Sequence, residues 1–233
     1  MATVAHTIAT TLYKKLPYDF ERDFVPITVT ASVPNILIVH PSVPAKSVKE
    51  LIDYAKANPG KLSYGSAGSG SIEHLSAELF RTLAGGLDLT HIPYKGGAPM
   101  MTDLMGGQVQ FAIETSGSAS PHIKSGKVRA LAVSTANRSP AFADLPTIAE
   151  SGLQGYEVTT WYAILAPKGT PREITTRLYT EIVKVLQSPD IKQRFSAIGA
   201  EPGGISPEQF AAFIKSETAK WAKIVKESGA TVD

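Results

Sequence analysis

Short extended stretches alternate with amphipathic helical ones through residues 40–135, and this alternation restricts the fold more than any other feature of the sequence. Leu62–Tyr64, His91–Tyr94, Val109–Ile113 and Val128–Ser134 read as strands. Ser47, with Glu50 three residues on, predicts a capping box and a helix from Val48 to about Ala57, ended by Pro59-Gly60. A second helix carries Ile72, Leu75, Leu79, Phe80 and Leu83 on one face. A third has Pro99 in its first turn and stops at Gly106-Gly107. A short fourth is expected over Pro121–Lys124. Such βαβα order predicts an α/β fold with a mainly parallel sheet covered by helices.

Two long extended runs flank this block. Pro26–His40 reads as one long strand, or two collinear ones interrupted at Pro34, and Tyr156–Pro167 is the second. Arg138–Gly155 is irregular apart from a turn at Thr147–Ser151. Beyond Pro167 the chain turns helical, with capping boxes predicted at Thr170-Pro171-Arg172-Glu173 and Ser206-Pro207-Glu208-Gln209. Those helices carry Ile174, Leu178, Ile182, Leu186 and Phe210, Phe213, Trp221, Ile224, with a shorter helix over Asp190–Ile198 between them. Their apolar faces need a sheet, and the strands outside the central block are too few for a complete second α/β domain.

Composition excludes several functions. Of 233 residues, 43% are hydrophobic and 19% charged, the balance of a globular chain. Net charge is +2, and the 23 basic residues are dispersed, so no basic field for nucleic acid or an anionic membrane exists. Cysteine is absent, which removes disulfides, thiolate metal sites and cysteine nucleophiles. The five histidines lack metal-ligand spacing, so neither metal nor cofactor is expected. No apolar run reaches membrane-spanning length, and Met1–Lys14 does not have the pattern of a signal peptide.

The most pointed candidate site is Ser63-Tyr64-Gly65-Ser66-Ala67-Gly68-Ser69-Gly70-Ser71, between a strand and a helix. Glycines expose backbone amides, a helix N-terminus adds unpaired N–H groups, and Ser66, Ser69 and Ser71 add hydroxyls. Together these would cradle an anion; the alternative is a plain turn with Ser71 as N-cap. The loop lacks the Lys of a phosphate-binding loop, the third Gly of a dinucleotide fingerprint and the first Gly of a nucleophile elbow. His74, in the next turn, would donate to the anion or serve as a structural polar group. Tyr94, Lys95 and Gly96 offer an aromatic wall, a cation and an exposed amide. Glu114, Thr115 and Ser116 stand at a strand end, where α/β proteins place ligand contacts. Trp161 reads as core. No acid–base pair or activated nucleophile is apparent, so binding without chemistry is expected, a hydrolase built on Ser66 being the weaker rival.

Several of these motifs, taken in order, are familiar. Leu12-Tyr13-Lys14-Lys15-Leu16-Pro17-Tyr18-Asp19, Tyr64-Gly65-Ser66-Ala67-Gly68, His91-Ile92-Pro93-Tyr94-Lys95-Gly96-Gly97, Asp103-Leu104-Met105-Gly106-Gly107-Gln108-Val109, Leu145-Pro146-Thr147 and Gly169-Thr170-Pro171 carry the resemblance. The chain resembles the Bug receptors, the extracytoplasmic solute-binding proteins of tripartite tricarboxylate transporters. The resemblance implies an α/β periplasmic binding protein of type II, a Venus flytrap of two lobes joined by two crossing strands. Lobe one would combine 1–35 with 161–233, and lobe two would be 36–160. It also implies a periplasmic location, a small carboxylate ligand (a di- or tricarboxylate or an acidic amino acid), and membrane transporter subunits as partners. A lobe-one ligand contact is implied near Thr3 and His6. Full-length relatives carry a signal peptide and further β/α units ahead of the position of Met1. Lobe one is therefore expected to be N-terminally truncated, with self-association through its exposed faces, and a non-binding product is the alternative to a receptor.

Overall fold

A computed structural model describes residues 1–231. In chain order the elements are β1 (Ala2–Thr3), α1 (Val4–Leu12), β2 (Phe24–Val39), α2 (Val48–Ala57), β3 (Leu62–Ser66) and α3 (Ile72–Leu83). Then come β4 (Leu89–Pro93), α4 (Gly97–Met105), β5 (Phe111–Thr115), α5 (Ser116–Lys124) and β6 (Arg129–Val133). The chain ends with β7 (Thr159–Pro167), α6 (Arg172–Leu186), α7 (Pro189–Ala197), β8 (Glu201–Pro202) and α8 (Pro207–Ser228). It divides into two compact units, Met1–Val33 with Thr160–Asp233, and Pro34–Thr159. The chain passes between them along β2 and again at the start of β7.

The 34–159 unit holds a sheet in the order β6-β2-β5-β3-β4. β3 is parallel to both β4 and β5, whereas β2 runs antiparallel to β5 and β6. The sheet is thus mixed rather than mainly parallel, because the long run that crosses between units enters against the direction of its neighbours. Residues Val33–Val39 are all buried, as a central strand covered on both faces requires. Pro34 does not interrupt β2. It falls between the ladder to β8 (Ala31, Ser32) and the ladder to β5 (from Asn35), where no N–H is needed. Ile36, Ile38, Met100, Leu104, Val109, Ala112 and Val133 form one core cluster.

The other unit contains a small sheet, β1-β7-β2-β8. Met1–Leu12 supplies mostly helix: Thr3 caps α1 by accepting from the Ala5 N–H, and α1 packs on α8. Trp161, Trp221 and Phe210 are fully buried, so Trp161 is core as read from the sequence. At Ser206 the reciprocal capping box forms as predicted. At Thr170 it does not: Pro171 is extended and takes the N-cap position, and the Thr170 hydroxyl donates back to the Pro167 carbonyl at 2.7 Å. α6 buries only Leu186 and leaves Ile174, Leu178 and Val185 exposed.

Candidate functional site

β3, β4 and β5 are adjacent and point the same way, and each is followed by a helix. The N-termini of α3, α4 and α5 therefore lie at the carboxyl edge of one three-strand patch. Each brings the partial positive charge of a helix N-terminus, the setting in which α/β proteins hold anions.

At the first corner the β3–α3 loop folds on itself. Gly68 and Gly70 take positive φ (134° and 79°), which a side chain would oppose. At Gly65 an added Cβ would stand 2.6 Å from Met100 Cγ, so close packing of α4 on β3 also demands glycine. The cradle is narrower than the sequence implied. The Gly68 N–H donates to Ser66 Oγ (3.2 Å), the Gly70 N–H to His74 Nδ1 (3.0 Å) and the Ser71 N–H to the Gly68 carbonyl (3.1 Å). No hydrogen bond of the Ser69 or Ile72 N–H is found among the described residues. Ala67 contributes its carbonyl, which accepts from the Gly96 N–H at 3.1 Å and ties this loop to the next corner.

Two histidines brace the loop. The His74 and His91 rings stack at 3.9 Å and 3°, and Tyr64 lies against His91 at 4.9 Å. His91 Nε2 meets Ser66 Oγ at 2.7 Å. Burial depresses both imidazoles, and the adjacent His74 helps bring His91 down to about 4, so both are neutral near pH 7. His74 thus acts as a structural acceptor toward Gly70, the alternative role read for it, because Nδ1 must be unprotonated to take that bond. Ser66 has no solvent exposure and its hydroxyl is engaged within the loop, which removes it as a nucleophile. His91 escaped sequence reasoning. It meets Tyr64 through the parallel register of β3 and β4, and register is not written locally in either strand.

At the second corner Gly96, with φ 115°, caps α4 without any side-chain bond. Pro99 has no N–H, so Gly97 and Ala98 carry the donors of the first turn. The Tyr94 hydroxyl donates to Asp103 Oδ2 at 2.8 Å, and its phenol is pushed up to about 12 by burial and then by that carboxylate. Lys95 is exposed.

Glu114 forms the third corner and is 3% exposed. Its Oε1 accepts from the Thr115 N–H (2.8 Å) and hydroxyl (2.9 Å), whereas its buried Oε2 has no partner. That oxygen would lie 3.2 Å from a Cβ placed on Gly97. Burial and then the charge of Glu73 push the Glu114 carboxyl up to about 7. Glu73, itself buried in the first turn of α3, is raised by burial and held by the Ser71 hydroxyl. Thr115 stands at the N-cap of α5 and Ser116 is its buried first residue, so the helix begins five residues before the expected Pro121.

Ser66–Ser71, His74, Tyr94–Gly96 and Glu114–Ser116 accordingly share one edge of the 34–159 unit. Thr3 and His6 belong to the other unit and form a capping box, the Thr3 N–H lying 3.2 Å from His6 Nδ1, with the His6 ring stacked on Phe20. The positions near which the resemblance implied a lobe-one ligand contact thus stand at the start of a helix. Among the described residues no cluster of three or more His, Asp or Glu could hold a metal ion.

An α/β chain of two units with helix N-termini gathered at a strand edge has the make-up of a solute-binding protein, and the comparisons agree with that class. R. palustris Rpa4515 with adipate superposes with a TM-score of 0.91 at 42% identity, covering 99% of this chain and 77% of that one. The structure of periplasmic binding protein BugD gives 0.87 at 35% identity, covering 98% and 77%. MatC from Rhodopseudomonas palustris with bound malate gives 0.85 at 28% identity, covering 96% and 77%. The chain belongs to the tripartite tricarboxylate transporter family receptors, the TctC family, whose profile it matches over residues 1–230. It is 40% identical over 216 residues to a UPF0065 protein from the tcbD–tcbE intergenic region of Pseudomonas sp. strain P51, covering 92% of this chain and 64% of that protein. Protein BugT of Bordetella pertussis is 38% identical over 223 residues, covering 96% and 68%. The chain thus spans about two thirds of the length of these relatives. Its family is one of receptors.

Proposed function

We propose that this chain acts as a periplasmic receptor that captures a small carboxylate for a tripartite tricarboxylate transporter. The observation that carries the reading is the convergence of the α3, α4 and α5 N-termini at the carboxyl edge of β3, β4 and β5. The carboxylates bound by two relatives, adipate and malate, support the ligand class. The Gly97, Ala98, Ser69 and Ile72 N–H groups are the donors of choice. Hydroxyls and bridging waters would complete the shell, since Lys95 is the only Lys or Arg among the residues read as the site. Residues 36–160 form the ligand lobe in this reading, and 1–35 with 161–233 form the other. The exposed α6 face supports self-association, which light scattering at high concentration would register as a mass above that of one chain.

A thermal-shift and calorimetric screen of di- and tricarboxylates and acidic amino acids tests the proposal. A true ligand at a hundredfold excess over its Kd adds about 2.7 kcal/mol of stability. Absence of a shift with every carboxylate would favour the non-binding alternative.

A further inference from the structure

The receptor reading leaves an electrostatic problem unsolved: the edge offered to an anion already holds two buried carboxyl groups. Glu114 and Glu73 are 3% and 8% exposed, and Glu73 is the one charged group acting on Glu114, opposing its ionisation. β2, β3, α3, α4 and α5 all surround or adjoin β5, and no Lys, Arg or His from any of them offsets the Glu114 charge. Only one of its oxygens is satisfied. Oε1 takes both Thr115 donors, and Oε2 faces the first turn of α4 beside Gly97 with nothing donating to it. The free amides of that same turn are the ones assigned to the ligand.

We infer that carboxylate capture at this edge is coupled to proton uptake, with Glu114 as the group that receives the proton. The inference rests on the receptor reading. A ligand carboxylate drawn to the Gly97 and Ala98 amides would add a third negative charge within a few ångströms of Oε2, a carboxyl oxygen that solvent scarcely reaches. Protonation relieves the repulsion and turns Oε2 from an unpartnered acceptor into an O–H donor. The cost of that proton is small near neutrality, since the Glu114 carboxyl already sits at about 7. Glu114 thus sets the pH range of binding rather than the identity of the ligand. A ligand bound preferentially by the protonated form loses affinity as pH rises above the free-state value and is bound without pH dependence below it.

Adipate is the probe, titrated calorimetrically from pH 5.5 to 8.5 in buffers of differing ionisation enthalpy. The wild-type chain is expected to weaken by about tenfold per pH unit above ~7 and to take up close to one proton per adipate bound at the alkaline end. Glu114→Gln, a neutral isostere, should bind at pH 8.5 as the wild type binds below its transition and take up no proton. In ligand-free protein, the infrared band of a protonated carboxyl should titrate near neutrality and vanish in Glu114→Gln. A wild-type affinity independent of pH, a slope unchanged by Glu114→Gln, or a Glu114 carboxyl titrating in the ordinary glutamate range would each overturn the inference and leave the receptor reading standing. Failure to bind adipate at any pH would overturn both for this ligand.

Discussion

Glu217 of α8 holds both tryptophans of the chain. Its Oε2 accepts from the Trp161 Nε1–H at 3.0 Å and from the Trp221 Nε1–H at 3.1 Å, and Oε1 pairs with Lys220 Nζ at 2.9 Å. The carboxylate is 6% exposed and both indoles are fully buried, so water cannot replace it. Glu217→Leu keeps the bulk and removes the acceptor. Each orphaned indole N–H costs about 1–3 kcal/mol, about 2–6 kcal/mol together. The added apolar burial returns about 1–2 kcal/mol, leaving a net loss of about 2–3 kcal/mol at the middle of these ranges. Lys220, with its side chain 31% exposed, can turn to water and adds little. Glu217→Gln retains one amide oxygen for the two N–H groups and should lose less than about 1.5 kcal/mol. Urea unfolding followed by tryptophan fluorescence reads this directly, because Trp161 and Trp221 are the chain's only two tryptophans and lie in the same unit. A Glu217→Leu midpoint matching wild type, with an equal slope, would refute the claim that this carboxylate organises the core between β7 and α8.

Gly203→Ala should lower the stability of the same unit by about 3 kcal/mol or more, because its Cβ would stand 2.1 Å from the Val29 carbonyl oxygen of β2 and backbone cannot yield cheaply; a midpoint within error of wild type would contradict this. The stacked histidines predict an acid limit for the 34–159 unit. Burial depresses both folded imidazoles, His91 to about 4, so below 6.5 the unfolded chain binds more protons, and the stability His91 contributes above pH 6.5 is lost as pH falls toward 4. His91→Phe should flatten that loss in denaturation midpoints measured at pH 7 and 5, and an unchanged pH profile would count against the stack as its source.

Elements with local signals were legible in the sequence. Ser71 caps α3 and Ser206 caps α8, and the glycines between β3 and α3 occupy the backbone conformations expected of them. Where local chemistry had a competitor, the reading slipped. Thr170 spends its hydroxyl on Pro167, α5 begins at Ser116, and the run from Pro26 enters its sheet antiparallel. The residues alone thus determined most of the strands and helices, and that a helix follows each of β3, β4 and β5. Only tertiary structure decided that His91 lies on Tyr64, that the loop amides of Gly68, Gly70 and Ser71 are spent internally, and that Glu114 reaches Gly97 with an oxygen unpaired. The physical reason is that periodicity and capping act over a few residues. Strand register and burial instead join positions far apart in the chain, and those two set the charge and hydrogen bonding of the site.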